Sequence, residues 1–168
     1  MKRDIVYFSL LGGSFLLFEY VVRCIARDNN YFHPALLLMF FIGGLCSFLV
    51  GLFNRSDWVN RNINIFWQSI ISGGIIITGI ELISGVVCNL WLRLNIWEYF
   101  SFMFNFLGQI SLFTTLAWIG LSPFAMWLDD FLYWVEYRGK PWWSEDYYYS
   151  LAEIYKKALN PFGKAGEI

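Results

Sequence analysis

The sequence predicts an all-α integral membrane protein: a bundle of four transmembrane helices, an outer interfacial or re-entrant element, and a C-terminal amphipathic helix. Three observations carry that prediction. Hydrophobic residues make up 58% of the chain and charged residues only 15%, a balance far from that of ordinary soluble domains. Apolar runs of about 20 residues, long enough to cross a hydrocarbon core, recur along it. Lys and Arg are also divided unevenly among the connections, which is the bias that orients membrane helices.

The first span, about Ile5 to Val22, follows the charged start Lys2-Arg3-Asp4. It has the layout of a secretory signal but no small-x-small cleavage site, so it reads as an uncleaved helix. The second, about Ala35 to Phe53, begins after Pro34, whose missing N–H would have no partner in a first turn anyway. The third runs from about Ile65 to Val87 and the fourth from about Ile110 to Tyr133. Pro123 lies inside the fourth, which predicts a kink and a freed carbonyl satisfied by Ser122 or Thr115.

The connection from Cys88 to Gln109 carries Arg93, Asn95, Glu98 and Asn105. It is too polar for a fifth span and too aromatic for a solvated loop, hence the interfacial or re-entrant reading. In the C-terminal stretch, Ser144 offers an N-cap, acids follow in the first turn, and Lys156 with Lys157 close a helix before Pro161. The expected organisation is a transmembrane domain over residues 1–135 and a cytoplasmic tail over 136–168.

Lys2, Arg3, Arg55, Arg61, Arg138, Lys140, Lys156, Lys157 and Lys164 fall on one side, against Arg23, Arg27 and Arg93 on the other. That division predicts a multi-pass protein of the cell membrane with both termini in the cytoplasm. The net charge of −1 gives no basis for nucleic-acid binding. A single histidine, His33, excludes multi-histidine metal sites, and no G-x-x-x-x-G-K-[ST] pattern occurs. No metal or cofactor is expected. Cys24, Cys46 and Cys88 read as buried small hydrophobes, with a Cys24–Cys88 disulfide as the alternative.

Within this topology the polar residues gather at the outer leaflet. Glu19 sits near the outer end of the first span and Glu81 in the outer half of the third; Asn89, Arg93, Trp97, Glu98, Asn105 and Gln109 follow. Gly74, Thr78, Glu81, Gly85 and Cys88 recur at spacings of three and four. Small residues on that face let another helix approach and turn Glu81 into the bundle, where an ionisable group marks a functional site. The candidate ligand-binding residues are therefore Glu19, Glu81, Asn89, Trp97, Glu98, Asn105 and Gln109.

Each has a simpler reading. Glu19 and Arg23 are four apart and suit an ion pair. Glu81 suits a structural pairing with Arg93, or a protonated state bonded to a neighbour. Trp97 and Glu98 suit an interfacial anchor, Asn105 and Gln109 a cap on the fourth span, and Asp129 with Asp130 a solvated inner boundary.

The stretch "GIELISGVVCNLWLRLNIWEYFSFMFNFLGQISL", residues 79 to 112, resembles the signature of a bacterial membrane family described as ABC-transporter type IV. That family shows a Gly-Glu-Leu-x-x-Gly helix, an Asn, a Trp-Asp-Tyr-Ser segment, and Asn-x-x-Gly-Gln leading into a helix with a Trp. The matching positions are Glu81, Leu82, Gly85, Asn89, Trp97, Glu98, Tyr99, Asn105, Gly108, Gln109 and Trp118. Ile80, Glu98, Phe100 and Ser111 depart from the pattern. The resemblance implies a permease-like, transport-related membrane component.

A bundle of this size, with no inverted repeat, would need a second copy or other membrane subunits to carry out transport. The expected partners are the lipid bilayer, such subunits, and a small cationic or amphiphilic ligand. Two other functions stay open: a membrane-embedded enzyme acting on a lipid or small amphiphile through paired carboxylates, and a structural or regulatory subunit of a membrane complex.

Overall fold

The computed structural model describes residues 2–25, 34–138 and 145–165. The chain is mostly helical, in the order α1 (Lys2–Ile25), a 3₁₀ turn (Pro34–Leu36), α2 (Leu37–Asn54), α3 (Asp57–Asn62), α4 (Ile65–Ser69), α5 (Thr78–Gly85), β1 (Asn105–Phe106), β2 (Ile110–Ser111), α6 (Leu112–Arg138) and α7 (Glu145–Ala158). A π-helical stretch over Ile70–Ile77 joins α4 to α5 and a second over Val86–Trp91 extends α5, giving one continuous helix, Ile65–Trp91.

Three helices are long and apolar enough to cross a membrane: Arg3–Val21, Leu37–Asn54 and Ile65–Trp91. Their outward faces carry large apolar groups such as Leu17, Phe18, Phe41, Ile75 and Ile83, as lipid-facing surfaces do. α6 is also long, at 27 residues. It begins at Leu112, two residues later than the predicted fourth span, because Ile110 and Ser111 are paired in β2. The helix runs through Pro123, and the Ser122 hydroxyl donates to the Trp118 carbonyl at 2.8 Å rather than to the Ile119 carbonyl that the proline frees. Thr115 instead meets Thr78 at 3.4 Å.

The chain forms two compact units. The first comprises residues 1–48 and 79–112, the second 49–78 and 113–168. In the first, α1 and α2 touch through glycines: a Cβ on Gly12 would collide with the Phe40 carbonyl, while Phe8 and Phe15 of α1 seat their rings on Gly44 and Gly43 of α2. Such small-residue contacts are the usual means of close helix approach in lipid. In the second unit, Phe124, Trp127, Phe131 and Trp134 stack along α6 with ring centroids 5.6, 5.5 and 6.4 Å apart. α7 packs on α4 and buries Ile154.

The third long helix has an unusual period. Ile65, Ser69, Gly73, Ile77, Glu81, Gly85 and Asn89, each four residues from the last, are all buried. In an ideal α-helix a four-residue step overshoots one turn by about 40°, so six such steps would carry the row about 240° round the axis. The π-helical turns, which take more residues per turn, remove that drift.

Side chains support the wide turns. The Thr78 hydroxyl donates to the Gly73 carbonyl five residues earlier, at 2.8 Å. Ser84 donates to the Ile80 carbonyl at 2.5 Å just before the second π stretch. The widening also moves the close contact by one residue from the expected Gly74 to Gly73, where an added Cβ would strike the backbone of Trp118 and Ile119.

One short helix, α3, lies outside the predicted elements. α3 is capped by Ser56, which accepts from the Val59 N–H, and α4 by Asn64, which accepts from Trp67 N–H at 3.1 Å. The cysteines are free; Cys46 is buried as expected, whereas Cys88 is half-buried and Cys24 is exposed. His33, Ser144 and the Arg23 side chain lie outside the described residues.

Candidate functional site

The segment after the third long helix is irregular and tightly folded. Arg93, Asn95, Phe104 and Leu107 have φ of 56°, 49°, 55° and 53°, and Gly108 has 67°. Left-handed backbone costs a non-glycine residue about 1–2 kcal/mol, so this shape must be imposed by its contacts. The β1–β2 hairpin pairs Asn105 with Ser111 and Phe106 with Ile110 around a turn that uses two of these positions, Leu107 and Gly108. Gly108 is required twice over, by its positive φ and by the Phe100 ring, which would lie 2.6 Å from an added Cβ.

Asn89, on the buried row of the helix, imposes much of that shape. Its amide donates to the Trp97 carbonyl at 2.9 Å and to Gln109 Oε1 at 2.8 Å, and its carbonyl accepts from the Ile96 N–H at 2.7 Å. The Trp97 indole donates to the Gln109 backbone carbonyl at 3.1 Å, and Gln109 Nε2 to the Leu107 carbonyl at 3.1 Å. Asn105 organises the hairpin: it accepts from the Gly108 N–H at 3.1 Å and donates to the Phe102 carbonyl at 2.9 Å. Gly85 leaves the space for Gln109, whose Oε1 would lie 2.7 Å from a Cβ there.

These bonds bring Tyr99 to the acid. The Tyr99 N–H donates to the Gly108 carbonyl at 2.7 Å, and its phenol donates to Glu81 Oε1 at 2.8 Å. Glu81 is only 8% exposed. Burial, then the negative charge of Glu81, the hydrogen bond to it and the charge of Glu19 all hold the Tyr99 phenol well above its ordinary range. Glu19 is therefore within electrostatic reach of Tyr99 and is half-buried. Ile96 and Trp97 are buried with Leu36, against Leu16, Leu38, Met39 and Ile42.

Of the seven candidate residues, Glu81, Asn89, Trp97 and Gln109 are brought together, Asn105 shapes the same segment, and Glu19 lies within reach of its tyrosine. Glu98 is exposed. The interfacial-anchor reading of Trp97 is replaced by a core position at 7% exposure, because its indole N–H has a buried acceptor. Asn105 and Gln109 fold the hairpin and the segment before it rather than capping α6. Arg93 is exposed, and Tyr99 is a group that reaches Glu81. Sequence reasoning named Tyr99 among the positions of the resemblance, beside Trp97 and Glu98, and not among the candidate site residues.

The second unit holds a different polar cluster. Arg55 donates to both Asp129 oxygens, at 2.9 and 2.5 Å, and Asn54 donates to Asp130 at 3.0 Å. Asp129 is 1% exposed, so the solvated-boundary reading of this acid is replaced by a buried ion pair. Asp130 is exposed, as expected. Among the described residues, no group of three or more His, Cys, Asp and Glu is placed to hold a metal ion.

These features define a class: a mostly helical protein with three helices fit by length and composition to cross a membrane. No protein-family model, curated protein or solved structure matches the chain.

Proposed function

We propose that the chain is a four-span, permease-like component of the cell membrane that receives a small cationic or amphiphilic ligand at its outer end. α6 is the fourth span in this reading, and the Lys and Arg bias sets both termini in the cytoplasm. The observation that carries it is the bond from Tyr99 to Glu81. A buried carboxylate inside an apolar helix is costly to keep, and here the phenol that covers it belongs to an irregular segment rather than to a neighbouring helix. A ligand cation could exchange with that phenol at Glu81, with Glu19 adding negative charge nearby. The resemblance of residues 79 to 112 to the ABC-transporter type IV family points the same way. Movement across the bilayer would need a second copy or a separate ATPase subunit.

The polar atoms of Asn89, Trp97, Asn105 and Gln109 hold the cover in place, so their role here is to position Tyr99.

The test is calorimetric binding by the purified protein with sodium, potassium and a series of primary and quaternary alkylammonium ions. At least one of these should bind, Glu81→Gln should weaken it by about tenfold or more, the loss of one charge-assisted contact, and Glu98→Gln should leave it unchanged. Absence of binding across the series, or equal binding by Glu81→Gln, would overturn the assignment.

A further inference from the structure

The second unit ends in a fixed, basic and apolar turn at the start of the third long helix. Asn64, the N-cap of α4, uses its amide nitrogen to donate to the Pro161 carbonyl at 3.1 Å and the Gly163 carbonyl at 2.8 Å. The turn is also closed internally, since Asn160 Oδ1 accepts from the Phe162 N–H at 3.1 Å and the Asn160 carbonyl from the Gly163 N–H at 3.3 Å. One helix start is thus tied to residues nearly a hundred positions later. The turn is a built structure rather than a loose end.

What it displays is unusual for a surface in water. Phe162 is 93% exposed and Leu159 80%. Lys156 and Lys164 are exposed beside them, and Lys157 is half-buried. Trp58 and Trp67, which flank Asn64 in the chain, are also exposed. Outward aromatic and aliphatic groups, lysines and indoles at the end of a membrane-length helix match the interfacial layer of a bilayer, and the lysines match its anionic headgroups.

We infer that residues 156–164 form a binding site for anionic phospholipid on the inner leaflet. Leu159 and Phe162 enter the acyl boundary, Lys156, Lys157 and Lys164 hold the phosphate groups, and Asn64 fixes the turn at that depth. The inference rests on the membrane-spanning reading of Ile65–Trp91 and is independent of any ligand at Glu81. Attachment of this kind would couple the first turn of the third long helix to the charge of the inner leaflet.

The full-length protein is placed in nanodiscs of phosphatidylcholine, with or without phosphatidylglycerol, and hydrogen exchange is followed by mass spectrometry. Stable incorporation into discs tests the membrane reading separately. Exchange over residues 159–165 should be slower by roughly tenfold in the anionic discs. That difference should vanish at high salt in the unaltered protein and in the K156Q/K157Q/K164Q variant. Equal exchange in both discs overturns the site. A difference that survives both salt and the triple variant overturns the lysine assignment. Asn64→Ala should raise exchange in both discs; if it leaves the tail unchanged, the fixed turn is not what positions the site.

Discussion

The polar cluster around Glu81 and the one around Asp129 hold their acids in opposite ways. Asp129 receives a bidentate Arg55 carried at the end of α2. Glu81 receives a phenol carried on a segment with five left-handed residues. The first arrangement holds an acid with a guanidinium from the end of a helix, whereas the second holds an acid with a phenol from an irregular segment that side-chain amides fold into place. Burial alone therefore does not say how an acid is held; the element that supplies its partner does.

The largest effect is expected at the acid held by the guanidinium. Asp129→Ala should destabilise the protein by about 3 kcal/mol, the lower end for breaking a buried pair because Arg55 retains 24% exposure. Thermal unfolding in detergent measures it, and R55M/D129L should recover much of the loss. A neutral result would make this pair as replaceable as a surface one and erase the contrast.

Asn89→Ala comes next. It removes the bonds of Asn89 to the Ile96 N–H, the Trp97 carbonyl and Gln109 Oε1, at about 1–3 kcal/mol. Unlike Asp129→Ala, it should act locally: exchange should rise over residues 96–109 while residues 113–138 stay protected. Gly73→Ala should cost about 1–3 kcal/mol, because the backbone of α6 stands in the way of the new methyl. Gly74→Ala, whose Cβ would meet only Ile119 Cδ1 at 3.4 Å, should be close to neutral. Equal effects would mean that the wide turns do not set the helix register.

Among the substitutions that remove a contact, Tyr99→Phe should have the smallest effect, about 1 kcal/mol for one hydrogen bond, together with a pH signature. The folded state holds the phenol proton more tightly than the unfolded chain, whose tyrosine titrates near pH 10. The stabilisation is fully present below pH 10 and declines as pH rises above it. Midpoints measured between pH 8 and 11 should show this decline in the unaltered protein, and Tyr99→Phe should flatten it. An unchanged slope would remove Tyr99 from the cover over Glu81.

Much of the fold was legible because the length and apolarity of a membrane-crossing segment are local properties. Ile65 to Val87, Ala35 to Phe53 and the helix closed by Lys156 and Lys157 all have observed counterparts. The short α3 was missed although Ser56 before Asp57 is an N-cap signal; six residues are too few to show a period. The site was half legible. Glu81, Gly85, Asn89 and Gln109 were named, but their roles were not, since an amide reads the same whether it binds a ligand or a carbonyl of its own chain.

What the sequence determined by itself was the set of apolar runs, the burial of an acid among them, and the uneven placement of lysine and arginine. Only the tertiary structure decided that Gly73 rather than Gly74 meets its neighbour, that Asp129 is paired, and that Tyr99 covers Glu81. The reason is physical. Hydropathy and cap signals act within a few residues, whereas π-helical register, left-handed backbone and a phenol eighteen residues from its acid exist only when distant contacts hold them.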